Sequence, residues 1–337
     1  MAEIPFETLR FALEATRGTA IASPTHLLNL EGMITPRRAK NRPREQRGTL
    51  AANYRSVDTR KRSEWEGEGE LDVAWFPLLL NMAVQGGVTS PSTPGTAATA
   101  KLWAFVRNVS ADNIKSATAW WGDPALNQLK CDFVMLDELT IENDSSAEDG
   151  VATISVKGMG GYPSKVAAPA ATAALAGALL PGQRMQCWID VDSDPIGTTE
   201  LSGRVITAKH TIRTGVSYKY VAAGPAADLN YSLVGRDKIS ACTTELTLEL
   251  IDFDQYDVWD AADTAKVRVR HNGAFIETAT TDYYNYVEVD TYGELTDLEW
   301  GDHEGTNRTV TLVVEAAYDS TLGSDLRVAV QNERATL

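Results

Sequence analysis

Hydrophobic and polar positions alternate strictly through SEWEGEGELD, residues 63–72. Acidic side chains occupy every second position, at Glu64, Glu66, Glu68, Glu70 and Asp72. The positions between them are Trp65, Gly67, Gly69 and Leu71. Because successive side chains of a β-strand point to opposite faces, this pattern predicts a strand with one acidic face.

The alternation stops in the next stretch, VAWFPLLLNMAVQGG (73–87), which is almost entirely apolar. Pro77 suits the first turn of a helix, and Gly86 and Gly87 suit its end. The stretch therefore predicts one α-helix over about 73–86. It is too short to span a bilayer, and no run of about 18 apolar residues occurs elsewhere, so we expect no membrane partner.

Segments rich in Thr, Val, Ile and Tyr recur along most of the remaining chain. Predicted strands cover 25–30, 101–109, 185–192, 203–212, 217–223, 245–252, 266–271, 283–290, 307–317 and 326–332. Residues 137–158 predict a hairpin around an Asn/Asp/Ser/Gly turn. This spacing of strands and turns predicts a mainly β fold, with a β-sandwich or β-barrel core and one flanking α-helix.

Two irregular segments divide this pattern. Residues 35–62 contain two prolines and few apolar side chains, so they predict a long basic loop. Residues 169–183 are rich in Ala, Pro and Gly and predict a connection. We therefore expect an N-terminal β part over 1–168 and a C-terminal β part over 184–337, the latter a possible second unit of the same type.

Charge is distributed unevenly along the 337 residues. The chain carries a formal net charge of −15, yet residues 35–62 hold ten Lys or Arg against Glu45 and Asp58. That segment is +8, so the rest of the chain carries −23. Such an uneven charge distribution is informative about binding partners rather than about the fold. Three well-separated cysteines without a CxxC motif, and a start without a signal-peptide pattern, favour synthesis in a reducing cytoplasm.

The basic segment has three interpretations: a solvated loop, a nucleic-acid contact through phosphates, or a contact with the acidic surface of another copy. Tyr54 is the only aromatic residue in this segment, which disfavours recognition of single-stranded nucleic acid by stacking of bases on aromatic rings. A duplex would be repelled by the remaining −23, whereas an acidic neighbouring copy would be attracted. The adjacent acidic strand suits head-to-tail association.

No motif for catalysis or nucleotide binding occurs. GEGELD (67–72) lacks a third glycine, GMGGYPSK (158–165) has the wrong P-loop spacing, and neither GxSxG nor HExxH is present. The histidines are scattered, at His26, His210, His271 and His303, and such isolated histidines are more often structural than catalytic. We predict that the protein is not an enzyme and has no catalytic residue, cofactor or metal.

Two acidic stretches admit other chemistry. DVDSDP (190–195) resembles the opening of a calcium loop, but Pro195 and Leu201 stand where that loop needs Gly and Glu, which favours a polar strand edge. The acids of 64–72 are spaced about 7 Å apart, as in a glycosidase pair. Five similar acids supply no distinct acid and base, so they indicate a solvated face or an acidic wall that repels a ligand.

Four stretches together resemble the tail tube (major tail) proteins of long-tailed bacteriophages. They are LEATRGTAIASPTHLLNLEGMI, RSVDTRKRSEWEGEGELDVAWFPLLLNMAVQGG, DELTIENDSSAEDGVATISVKGMGG and the Thr/Val-rich region ending in RVAVQNERATL. The likeness lies in layout and composition over nearly the whole chain, without a diagnostic motif. The chain is longer than the smaller members of that family.

The resemblance implies rings that stack into a hollow tube through which DNA passes to the host. The loop between early strands contacts the next ring, which assigns inter-ring contacts to Arg37, Arg38, Lys40, Arg42, Arg44 and Arg47. An acidic lumen lets DNA slide, which assigns lumen-facing positions to Glu64, Glu66, Glu68, Glu70 and Asp72.

The resemblance further implies a homo-oligomeric ring of six copies, or of three if the chain holds two units. The implied partners are other phage tail proteins (tape measure, terminator, tail tip) and double-stranded DNA that passes without adhering. The implied location is the virion tail, assembled in the host bacterial cytoplasm.

Two other classes of protein stay open. One is a different phage structural β-protein, such as a connector, decoration or baseplate component. The other is a carbohydrate-binding module or glycosidase, whose sugar platforms would come from Trp65, Trp75, Trp103, Trp120 and Trp121.

Overall fold

The computed structural model describes residues 7–43, 55–148, 150–170, 172–175, 177–191, 194–201, 203–222, 229–236, 242–260, 264–304, 307–320 and 322–337. Strands make up 57% of the structure and helices 5%. The predicted mainly β fold class is therefore confirmed.

The described residues form eighteen strands, two α-helices and one short 3-10 helix. The strands are β1 Thr8–Leu13, β2 His26–Leu28, β3 Glu31–Asn41, β4 Val57–Glu70, β5 Lys101–Val106, β6 Ala117–Gly122, β7 Asn127–Asp144, β8 Thr153–Gly160, β9 Ser164–Ala167, β10 Met185–Val191, β11 Val205–Arg213, β12 Val216–Lys219, β13 Leu233–Arg236, β14 Thr243–Glu249, β15 Thr264–Thr278, β16 Asp282–Glu304, β17 Asn307–Ala316 and β18 Leu326–Asn332. The helices are α1 Phe76–Ala83, α2 Asp254–Asp260 and the 3-10 helix Gly182–Arg184.

Sixteen of these strands form one antiparallel sheet. Its main path runs β10-β15-β16-β17-β14-β11-β7-β6-β1-β2. Side branches join β8, β4 and β3 in series to β7, join β9 to β7, and join β18 and β5 in series to β16. Strands β12 and β13 form a separate two-stranded sheet. The predicted hairpin of 137–158 is present as β7 and β8.

The prediction of a long loop over 35–62 is wrong for its described residues. Strand β3 continues to Asn41 and β4 begins at Val57, and the two pair in a hairpin from Glu31–Glu68 to Asn41–Val57. The sequence suggested a loop because these strand ends have almost no apolar side chains. A two-stranded ladder supplies backbone hydrogen bonds whether or not the side chains are apolar. Residues 44–54 lie outside the described part.

Helix α1 lies inside the core rather than on its flank. All eight of its residues are buried, as expected for a helix that is apolar on every side. Pro77 occupies the first turn, as predicted. The one polar side chain, Asn81, is satisfied because its amide donates to the Pro77 and Val88 carbonyls and accepts from the Val88 N–H.

Two hydrophobic clusters form the core. The larger one surrounds α1 and includes Trp65 and Phe11 from the first part and Val328 from the last strand. The smaller one lies within 184–337 and includes Leu246 and Val267. Strands from both predicted parts share the large sheet, through the β7–β11 and β5–β18 pairings. The division at 169–183 stays a prediction.

A buried ion pair joins Arg107, just after β5, to Asp325, just before β18. The Arg107 Nε donates to the Asp325 Oδ1 over 2.8 Å, and a second contact joins Nη2 to Oδ2. The Arg107 Nη1 also donates to the Arg213 carbonyl and the Cys242 sulfur. The side chains of Arg107 and Asp325 are only 1% and 8% exposed.

Three histidines are buried and neutral. Burial lowers the pKa of His26 and that of His271 from the ordinary 6.5 to about 4. It lowers the pKa of His210 well below the ordinary value. The pKa of Asp137 shifts in the opposite direction, because burial raises the pKa of its carboxyl to about 6. The structural interpretation of the isolated histidines fits these three positions.

These groups predict that the protein loses stability between pH 7 and pH 5. The unfolded chain binds protons at the histidines below about pH 6.5, whereas the folded chain excludes them until about pH 4. His26 and His271 should each cost about 2 kcal/mol of unfolding free energy at pH 5. Asp137 acts in the opposite direction, because below pH 6 the folded chain binds a proton there that the unfolded chain does not. At pH 5 this offsets about 1.4 kcal/mol of the lost unfolding free energy.

Urea unfolding at pH 7 and pH 5 measures the net change. We expect a lower midpoint at pH 5 and a smaller pH dependence in His271→Gln, whose side chain does not titrate. A midpoint that is equal or higher at pH 5 would contradict the assignment of buried neutral histidines.

Candidate functional site

The hairpin of β3 and β4 extends beyond the sheet as a basic arm, here defined as residues 36–43 and 55–62. Strand β8 pairs with β4 from Ser63 to Glu70, so no third strand of the described residues lies beside the arm. Six residues on each side, 36–41 and 57–62, extend the ribbon by about 20 Å. Most of its side chains are exposed.

Like charges face each other across the arm. Arg37 is the cross-strand partner of Arg62, and Arg38 that of Lys61. Such pairs destabilise an isolated ribbon. Glu64 lies between two of them and accepts hydrogen bonds from Arg37 (2.8 Å) and Arg62 (2.9 Å). The hydrogen bond from Arg37 is the largest cause of the lowered pKa of Glu64.

Aromatic rings from distant segments support the base of the arm. The Arg38 guanidinium lies 5.1 Å from the Tyr162 ring centroid, and its Nε donates to the Tyr162 hydroxyl over 2.7 Å. Lys61 lies over the same ring at 5.6 Å, and Arg60 lies 4.7 Å from the ring centroid of Tyr220. These tyrosines come from outside 35–62, so the composition of that segment gave no sign of them.

Four of the six predicted contact residues lie on the described arm. Arg37, Arg38 and Lys40 are exposed on β3, and Arg42 is exposed just after it. Arg42 forms no ion pair or ring contact with any described residue. The remaining two, Arg44 and Arg47, lie outside the described residues.

The acidic face of β4 is present from Glu64 to Glu70. Glu66, Glu68 and Glu70 are exposed and Glu64 is half-buried, whereas Trp65 on the other face is buried. The Trp65 Nε1 donates to the Met135 carbonyl over 2.9 Å. This contact holds the strand register that keeps the glutamates outside.

The assignment of Asp72 to this face is wrong. Strand β4 ends at Glu70, and the Asp72 side chain turns inward, where 6% of the residue is exposed. Its Oδ1 accepts the Ala74 N–H over 2.8 Å. Burial raises the pKa of Asp72. The alternation of acidic residues in the sequence continues past Glu70, where the backbone leaves the strand.

The register places the arm at one end of the sheet, which we call the arm end. Ser63 pairs with Gly160 of β8 at this end, beside Met135 of β7. Glu70 and Glu142 lie on either side of Thr153 at the other end, about 23 Å along the strands. We call this the acidic end.

The same register carries α2 to the acidic end. Asp144 of β7 pairs with Thr207 of β11, and Val205 of β11 pairs with Leu248 of β14. Strand β14 ends at Glu249, and α2 begins a few residues later. This helix carries three aspartates, Asp254, Asp257 and Asp260. The basic arm and the acidic helix therefore lie at opposite ends of the strands.

The stretch that resembles a calcium loop is used differently. The Asp190 carboxylate is buried and accepts the N–H groups of Gly197, Thr198 and Thr199 at 2.6 to 3.2 Å. Its oxygens therefore face hydrogen-bond donors, and Asp192 and Ser193 lie outside the described residues. Among the described residues, no cluster of three His, Cys, Asp or Glu side chains is arranged to hold a metal.

The tryptophans considered as sugar platforms do not form one. Trp65, Trp75, Trp103 and Trp120 are at most 2% exposed, and Trp121 is half-buried. They belong to the core because they occupy inward positions of strands or precede α1. Exposed aromatic side chains lie elsewhere and include Phe253, Tyr256, Trp259 and Trp300, which the sequence pattern did not single out.

Comparison with known proteins finds no matching family model and no matching curated protein. Within the part of the chain that the structure describes, no helix is long and apolar enough to cross a membrane. The candidate site is therefore defined by its own geometry: a basic arm at one end of a sheet, and acidic strand ends and α2 at the other.

Proposed function

We propose that this chain is a structural protein of the tail tube type. Copies assemble into rings, and the rings stack into the hollow tube of a phage tail through which DNA passes. The observation that carries this proposal is the separation of charge along the strands, with the basic arm at one end and acidic groups at the other. Copies that stack head-to-tail bring opposite charges together at every joint.

Repetition makes such a joint strong enough. Single exposed ion pairs contribute about 0–1 kcal/mol. A ring of three or six copies repeats each contact, so the joint between two rings gains from many weak pairs at once. Because these contacts are exposed, salt screens them, and the joint is sensitive to ionic strength.

The open edge of β3 supports lateral or axial pairing between copies. This strand has eleven residues, and β4 is its one neighbour among the described strands. A long free edge in a monomer is a template for uncontrolled pairing. In a ring or stack, the neighbouring copy covers such an edge.

The acidic face of β4 is our candidate for the lumen. Glu66, Glu68 and Glu70 are exposed and form no ion pair with a described residue. Double-stranded DNA carries about one negative charge per 1.7 Å of axis, so an acidic wall keeps it from adhering. The other tail proteins of the virion are the partners that this role requires.

Negative-stain electron microscopy of the purified, concentrated protein tests the proposal. We expect hollow tubes or stacked rings at about 50 mM salt that separate into single rings at about 1 M salt, where the Debye length falls to about 3 Å. Sedimentation under the same two conditions should show the same change in mass.

Two results would contradict this proposal. A protein that stays monomeric at both salt concentrations and at all protein concentrations would refute the tube proposal. Tight binding of duplex DNA at about 150 mM salt would refute the acidic lumen in particular.

A further inference from the structure

Four exposed aromatic rings form a continuous patch at the acidic end. Trp300 of β16 stacks on Tyr256 of α2, with centroids 6.3 Å apart and planes 26° apart. Phe253 meets Trp300 edge-to-face at 5.9 Å, and Trp259 lies 5.8 Å from Tyr256. These contacts hold α2 against β16, yet each ring residue keeps between 36% and 62% of its surface exposed.

Carboxylates lie on the helix that carries two of these rings. Asp254, Asp257 and Asp260 of α2 are all exposed. None of them forms an ion pair with a residue that the structure describes. We call the four rings and these three acids the acidic aromatic patch.

A patch of this kind is typical of a binding surface. Large exposed apolar clusters with a polar border mark interaction sites, and Trp and Tyr are enriched among the residues that carry binding energy. Uncompensated carboxylates beside exposed rings select a cationic ligand. Arginine suits both features, because its guanidinium pairs with carboxylates and stacks on aromatic faces.

The basic arm already shows this chemistry within one chain. Arg38 lies over Tyr162 and Arg60 over Tyr220 at the base of the arm. Farther along, Arg42 is exposed and has no described partner. Among the described residues, Arg42 on the outer arm is therefore a cation without a ring partner. The acidic aromatic patch offers exposed rings together with three carboxylates that have no described ion-pair partner.

We propose that the acidic aromatic patch receives the basic arm of a second copy of this chain. This inference rests on the proposed function, because it names the surface that forms the head-to-tail joint. The arm extends away from the sheet at the arm end, while the patch lies at the opposite end of the strands, so an arm docks on another molecule rather than on its own.

Charge reversal on each side of this joint gives a direct test. The patch variant carries Asp254→Lys, Asp257→Lys and Asp260→Lys, and the arm variant carries Arg37→Glu, Arg38→Glu and Arg42→Glu. Alone, each variant should need at least about tenfold more protein to stack than the unmodified chain. Mixed in equal amounts they should stack again, because the acidic arm of one variant pairs with the basic patch of the other, and the basic arm with the acidic patch.

Two controls isolate the patch. Asp282→Lys, Glu294→Lys and Glu315→Lys make the same change in net charge at exposed acids outside the patch, and this variant should stack like the unmodified chain. Trp259→Ala removes a ring that contacts only Tyr256 among the described rings, and should weaken stacking with the fold intact. Circular dichroism melting confirms that each variant is folded.

Sedimentation and electron microscopy separate the outcomes. If the unmodified chain stacks and the folded patch variant or Trp259→Ala stacks equally well, the arm docks elsewhere; the inference is then wrong while the tube proposal stands. Failure of the mixture to restore stacking also overturns the inference. If the unmodified chain never associates, both proposals fail.

Discussion

Replacing Arg37, Arg38 and Arg42 by glutamate is expected to abolish stacking of rings at physiological salt. The substitutions change the charge of the arm by six units per copy and place like charges against the acidic end of the next copy. Repulsion is then repeated around the ring, in the same way as the attraction it replaces. Sedimentation should show single rings or monomers at concentrations at which the unmodified protein forms tubes.

A matched variant separates this effect from net charge. Lys101→Glu, Lys157→Glu and Lys165→Glu change the charge by the same amount on strands β5, β8 and β9. It should form tubes of normal appearance. If the arm variant also forms normal tubes, the arm has no part in the joint.

Removing Asp325 should destabilise the fold more than removing any exposed acid. Asp325→Ala removes the carboxylate that pairs with the Arg107 guanidinium, which stays buried. Loss of one member of a buried pair costs about 3–5 kcal/mol of unfolding free energy. The effect should appear in urea unfolding as a large fall in midpoint.

Two comparison variants test the cause. Glu138→Gln breaks partly exposed pairs with Arg213 and Lys157, and should cost about 1 kcal/mol or less. Arg107→Met combined with Asp325→Ala should be more stable than Asp325→Ala alone, because no charge is left buried. Equal stabilities for Asp325→Ala and Glu138→Gln would show that the Arg107–Asp325 pair is not isolated from water.

Strict alternation was a reliable guide where one face of a strand is buried. It predicted the strand Glu64–Glu70 and its acidic face, because the indole of Trp65 must lie inside when its neighbours are charged. It was wrong at Asp72, since two more alternating positions cannot reveal that the backbone has left the strand. The apolar stretch after it, with Pro77 and the two closing glycines, predicted α1 but placed the helix on the flank of the core. A helix that is apolar on every side is instead buried.

Local sequence patterns could not predict the arm or the acidic aromatic patch. The arm has few apolar residues, and the rings that support it come from Tyr162 and Tyr220. The patch depends on Trp300, which lies about forty residues after α2 and reaches it only through the β14–β17–β16 pairing. Side chains that meet through tertiary structure leave no periodic signal in the sequence.

The enclosure of α1 has a consequence for synthesis of the protein. The carbonyl of Val73, just before α1, accepts a hydrogen bond from the Asn332 amide, and Val328 belongs to the same core. Helix α1 leaves the ribosome about 240 residues before β18, which is the last strand to join the core around it. At about 5–20 residues per second, its apolar surface waits roughly 10–50 s for that strand. During this interval the exposed apolar surface of α1 favours aggregation of the nascent chain.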